Sequence, residues 1–108
     1  ISIILPVYNG ARYLQAAIAS AQSQSFQDWE LLIINDGSTD NSEAIARASN
    51  EPRLKIINNE KNLGLQKSLN IGLSAAQGEY IARLDADDVW TDKQKLDLLW
   101  AAHPGLGA

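Results

Sequence analysis

Cysteine is absent from these 108 residues, which excludes disulfides and thiolate metal sites and leaves the redox compartment open. The single histidine, His103, stands in a trailing loop, so no Ser/His/Asp or Cys/His nucleophilic arrangement can be assembled. Long apolar runs are also missing. Stretches such as Leu31–Ile34 fall far short of the ~20 residues that cross a bilayer. Positive charge is in deficit, with 9 Lys and Arg against 13 Asp and Glu and a net charge of -4, so no broad basic surface for nucleic acid is implied. Neither G-x-G-x-x-G nor G-x-x-x-x-G-K-[ST] follows any apolar run, which disfavours a dinucleotide site and a P-loop.

What is present fits one globular domain or part of one: 45% of the residues are hydrophobic, too many for a disordered chain. The chain opens inside an apolar run, Ile1–Leu5, contains no Met, and trails off at His103–Ala108 after a helical pattern. It therefore reads as the first part of a larger domain.

Ile1–Val7 is continuous and β-branched, as a strand buried on both faces would be, with Pro6 near its end. Leu14, Ala17, Ile18 and Ala21 recur at helical spacing and predict a helix from about Arg12 to Gln24. Trp29–Ile34 predicts a second strand, followed by the turn-rich Asn35–Asp40. Asp40 and Glu43 have capping-box spacing for a helix over Ser42–Ser49, with Ile45, Ala48 and Ser49 inward and Pro52 beyond its end. Leu54–Ile57 predicts a third strand. Leu65, Leu69, Leu73 and Ala76 predict a third helix, with Gly72 inside it as a mark of close packing or ligand approach and Gly78 as its C-terminal cap. Tyr80–Leu84 predicts a fourth strand, and Thr91–Gln94 opens a last helix with Leu96, Leu99 and Trp100 as its stripe. Strict alternation of strand and helix implies an α/β fold with a parallel, Rossmann-like sheet, right-handed crossovers and helices on both faces.

In such a sheet the strand C-terminal ends share one edge, where ligands bind. Tyr8 and Asn9, then Asp36, then Asp85 and Asp87 all fall at that edge. Asp85, Asp87 and Asp88 repel one another unless a cation or solvent offsets them. A hard divalent ion, Mg²⁺ or Mn²⁺, suits carboxylates and completes its shell with water and phosphate, so metal plus diphosphate is the chemical assignment. The plain alternative is a solvated acidic turn. Asp36 can accept a hydrogen bond from a base or ribose, or can simply hold the Asp36–Gly37 bend. Lys67 can add charge near the phosphates or can be a solvated helix lysine. Arg83 falls within the buried strand pattern, where an ion pair or a phosphate contact would satisfy it. Trp29, Trp90 and Trp100 read as core or rim residues.

Together, Pro6-Val-Tyr-Asn9, Asn35-Asp-Gly-Ser-Thr-Asp40, Asn62-x-Gly64, Asn70-x-Gly72 and Leu84-Asp-Ala-Asp-Asp88 resemble glycosyltransferase family 2, whose members have the GT-A nucleotide-sugar fold. The resemblance covers essentially the whole chain. It implies that Pro6, Val7 and Tyr8 line a nucleoside pocket, that Asp36 contacts the base, and that Asp85 and Asp87 form a D-x-D element. Asp85 would then face the ribose or sugar, and Asp87, with Asp88 as second candidate, would hold the Mg²⁺ or Mn²⁺. Many relatives carry Ala-Arg where this chain has Ser68-Leu69; Lys67 nearby could replace that charge.

The resemblance further implies a metal-dependent, inverting transfer from a nucleotide-diphosphate sugar, UDP-sugar first among them, to a glycan, lipid or protein acceptor. The polysaccharides of the bacterial cell envelope are one such setting. The general base is expected C-terminal to this chain, so the catalytic residue is unassigned and the fragment alone is expected to be inactive. A cytoplasmic location is expected, at the inner membrane face in the full-length form if attached at all. Two other readings compete. A nucleotidyltransferase would need a Gly-rich basic loop after the first strand, and Asn9-Gly-Ala-Arg12 is a poor version of one. A flavodoxin-like or receiver module would need acids after the first and third strands, where this chain has Tyr8-Asn9 and Asn58-Asn59.

Overall fold

The computed structural model describes residues 1–78 and 80–84. Asp85, Asp87, Asp88, Trp90, His103 and the helix expected after Thr91 lie outside the described residues. The elements are β1 (Ser2–Val7), α1 (Ala11–Gln22), β2 (Glu30–Asn35), α2 (Ser42–Ala48), β3 (Leu54–Asn58), α3 (Leu65–Ala75) and β4 (Ile81–Arg83). They form one four-stranded sheet in the order β3-β2-β1-β4, parallel throughout.

β1 and β2 are central, and their apolar residues supply both faces. Ile3, Leu5 and Val7 with Leu31 and Ile33 turn to the layer that holds Leu14, Ala17, Ile18 and Ala21 of α1 and Ala46 of α2. Ile4, Leu32 and Ile34 turn the other way, against Leu69, Ile71 and Ala75 of α3. Two connections thus run outward from β1 on one face, and α3 returns on the other to place β4 beside β1. That reversal opens a crevice beyond the C-terminal ends of the strands. Pro6 is tolerated in this central strand for a local reason. Ser2 and Ile4 bond toward β4, which places Pro6 on that side too, and among the described residues the β4 ladder ends at Ile4.

Several expectations are corrected. Leu65 and Leu73 are 52% and 51% exposed, and the row of α3 buried against the sheet is Ser68 and Gly72. A Cβ on Gly72 would stand 2.7 Å from Cγ2 of Ile4, so small residues let this helix lie close and leave those two leucines off the contact. On α2 the buried residues are Ser42 and Ala46, with Ile45 partly buried and Ala48 exposed. Asp40 and Glu43 do not form a capping box: Glu43 pairs with Arg47 and Asn58, and Asp40 serves two helix starts described below. Gly78 is not a helix cap. It lies against β1, its N–H donating to Ser2 Oγ at 2.7 Å. Arg83 is exposed rather than buried, because β4 buries only its middle residue.

Candidate functional site

Three loops meet at the C-terminal edge of the sheet, residues 8–10 after β1, 36–41 after β2 and 59–64 after β3. Asp36 ties the second to the third. It is 4% exposed, and its carboxylate accepts the N–H of Leu63 (2.8 Å), the N–H of Gly64 (3.0 Å) and the side-chain amide of Asn59 (2.9 Å). Burial pushes the Asp36 carboxyl up. The Leu63 N–H, the Asn59 amide, the Gly64 N–H and the Ser68 hydroxyl outweigh that and hold it below the usual carboxylate range. Next to it, Gly37 has φ +73°, and a Cβ there would fall 2.6 Å from the backbone N of Asn62. Only glycine permits so close an approach in that conformation.

The bend itself is held by Asn35, whose Oδ1 accepts the Ser38 N–H at 3.3 Å while its Nδ2 donates to Asn58 Oδ1 at 3.0 Å. The first and second loops are joined by Asn9 and Asp40. Asn9 Oδ1 accepts the Thr39 N–H at 2.8 Å, and Asp40 Oδ2 accepts the Ala11 N–H at 3.1 Å. Burial raises the Asp40 carboxyl, and the Ser42 hydroxyl with the Ala11 and Ser42 N–H groups brings it below its ordinary value.

Between these loops lies an open cavity of ≈ 300 Å³ lined by Pro6, Val7, Tyr8, Asp36, Asn62, Gly64, Leu65 and Ser68. The structure therefore brings Pro6, Val7, Tyr8 and Asp36 together around one cavity. Lys67 is exposed on α3 and is not among the lining residues. Asp85, Asp87 and Asp88 lie outside the described residues; the last described residue before them, Leu84, donates its N–H to Ile4 O at 3.0 Å. Among the described residues no group of three or more His, Asp or Glu is placed to hold a metal. No described helix is long and apolar enough to cross a membrane. A larger concavity of ≈ 450 Å³, lined in part by Ala46, Asn50, Pro52 and Leu54, sits at the opposite edge, away from the convergent strand ends.

The sequence reading missed Ser68, Asn59 and the Asn9–Asp40 pair. Assigning the inward stripe of α3 to its leucines hid Ser68, while the loop pairings join positions about thirty residues apart and leave no local pattern. Chemically, the cavity offers apolar walls from Pro6, Val7 and Leu65, a 51% exposed ring at Tyr8, and one buried carboxylate. Asp36 Oδ1 takes the Asn59 and Leu63 donors and Oδ2 takes the Gly64 N–H, so the carboxylate stands fixed at the cavity wall. Such a surface suits a flat polar ring.

Known proteins share this fold. The mannosyltransferase PcManGT from Pyrobaculum calidifontis, solved in complex with GDP-Man and Mn²⁺, superposes with a TM-score of 0.86 at 26% identity over 95% of this chain and 32% of its own. S. aureus TarS 1-349 in complex with UDP gives 0.83 at 31% identity over 93% of this chain and 30% of its own. Both bear out the α/β fold of GT-A type. The Escherichia coli UDP-Glc:alpha-D-GlcNAc-diphosphoundecaprenol beta-1,3-glucosyltransferase WfgD is 38% identical over 90 residues, 83% of this chain and 36% of that protein. This chain thus spans only part of its relatives' length. The family model for glycosyl transferase family 2 matches residues 2–104, and with the fold and the converging loops in view the chain belongs to that family.

Proposed function

We propose that this chain forms the donor-binding part of a glycosyltransferase that takes its sugar from a nucleotide-diphosphate sugar. The observation that carries the reading is the cavity at the ends of β1 and β2, where Pro6, Val7, Tyr8 and the buried Asp36 meet. The complexes of PcManGT with GDP-Man and Mn²⁺ and of TarS with UDP support it. In this reading Tyr8 and the apolar wall hold the nucleoside, and Asp36 contacts the base. A UDP-sugar is the first candidate donor, a choice the complex of TarS with UDP supports.

Asp85, directly after Leu84, faces the ribose or sugar. Asp87 and Asp88 bind Mg²⁺ or Mn²⁺, whose chemistry is to neutralise charge on the diphosphate. Lys67 serves the phosphates only if its side chain swings toward the cavity. Transfer is inverting, the acceptor is a glycan, a lipid or a protein, and the general base lies C-terminal to this chain.

Calorimetric titration of UDP, GDP and dTDP, each with and without Mn²⁺, tests the reading. Metal-dependent binding of one nucleotide, with the metal dependence lost in Asp87→Ala, is expected. Binding that ignores the metal, or no binding by any of the three in the whole protein, would reject it.

A further inference from the structure

We infer that Asn9 and Asp40 are positioning residues that lock the β1 and β2 loops into one rigid lip and so fix Tyr8 at the mouth of the cavity. This inference rests on the donor-site reading for its functional half only.

The lock is reciprocal. The Asn9 side chain reaches the backbone of the second loop, its Oδ1 accepting from Thr39 N (2.8 Å), Thr39 Oγ1 (3.3 Å) and Asp40 N (3.3 Å). Asn9 N in turn donates to Ser38 Oγ at 3.0 Å. The Asp40 side chain reaches back, with Oδ2 on Ala11 N at 3.1 Å, while its Oδ1 takes Ser42 N at 3.0 Å. The residues that flank each helix start, Gly10 for α1 and Asn41 for α2, make no side-chain cap. One carboxylate therefore accepts the first N–H of two helices, and neither loop can lift without freeing donors of the other.

Asn9 has φ +51°, a left-handed backbone that Asn tolerates better than most side chains. Tyr8 lies between this anchored residue and Val7, which is buried in β1 and whose carbonyl accepts the Asp36 N–H at 2.8 Å. Its ring is half exposed, so the backbone on either side sets where it stands.

Amide hydrogen exchange on the full chain tests the lock without any nucleotide. Asn9→Gly keeps the left-handed backbone and removes the acceptor; Asp40→Ala removes the returning carboxylate. Each variant is expected to speed exchange at the donor that the other residue's side chain holds, beyond its own direct partners. Ala11 should exchange about tenfold faster in Asn9→Gly, and Thr39 about tenfold faster in Asp40→Ala, with the amides of Leu31 and Ile33 unchanged. Effects confined to the direct partners of each lost side chain would overturn the lock. If Asp40→Ala loosens the core as well, Asp40→Asn, which keeps one acceptor oxygen, takes its place.

A second arm titrates UDP with Mn²⁺. Kd is expected to rise about tenfold in each variant and no further in the double variant. An unchanged Kd alongside cross-loop exchange would overturn the positioning role. Failure of the parent protein to bind any nucleotide would count against the donor-site reading, and exchange would still decide the lock.

Discussion

The two edges of this sheet treat charge in opposite ways. At the N-terminal edge Glu51 and Glu30 each meet a cation. Glu51 pairs with Arg53 at 2.9 Å, and the Arg53 guanidinium lies 3.7 Å over the Trp29 ring. Glu30 meets Lys55 at 3.5 Å and also takes the Gln77 N–H at 2.7 Å, which fastens the approach to β4. At the C-terminal edge Asp36 and Asp40 form no ion pair among the described residues and are held by neutral N–H and O–H donors. Neutral donors fix a carboxylate in place and leave its charge in force. One edge is therefore built to fasten strands, and the other to hold acceptors in fixed positions with negative charge retained. A ligand that brings N–H groups or a cation belongs at the second.

Breaking Asp36 should have the largest effect. Asp36→Ala leaves the buried N–H groups of Leu63 and Gly64 without acceptors, and a loss of about 3 kcal/mol is expected in a urea titration, along with the nucleotide site. Because its donors are neutral, that loss should change little with salt.

The ion-paired edge should respond differently. Glu51 is held at about 2, well below 4.5, by the Arg53 guanidinium, against the opposing effect of burial. Folding thus favours the charged form. The stability it contributes is full above pH 4.5 and is lost as pH falls toward 2. Glu51→Gln should cost about 2 kcal/mol at pH 7 and flatten that acid limb. An acid limb unchanged by Glu51→Gln would remove the contrast between the edges.

Gly72 lies between the two edges and reports packing alone. Gly72→Ala should destabilise by about 1 kcal/mol, because crowding against Ile4 exceeds the ~1 kcal/mol that Ala gains in a helix. Combined with Ile4→Ala, the cost should be less than the sum of the two. The smallest effect is expected at Arg47, whose i,i+4 pair with Glu43 is exposed on both sides. Arg47→Ala should leave the urea midpoint where it is.

The strands and helices were legible because β1 and β2 are apolar without interruption and α1 keeps a regular stripe. The parallel order followed from alternation, and Asp36 from its place at a strand end. What was not legible depends on contacts between distant residues. Leu65 and Leu73 of α3 have good helical spacing, yet the helix buries Ser68 and Gly72 beside Leu69, because Ile4 leaves no room at Gly72 for anything larger. Asp40 looked like a local cap, yet it joins α1 to α2 across 29 positions. Propensity and spacing carry no signal for either.

The most direct test is to map where a nucleotide lands. In an amide-resolved NMR titration with UDP and Mg²⁺, the largest shifts are predicted at Tyr8, Gly64, Leu65 and Ser68, with the concavity near Asn50 and Leu54 silent. Shifts centred on Asn50 and Leu54, or none at Tyr8 and Gly64 at saturation, would contradict the placement of the donor site at the C-terminal edge.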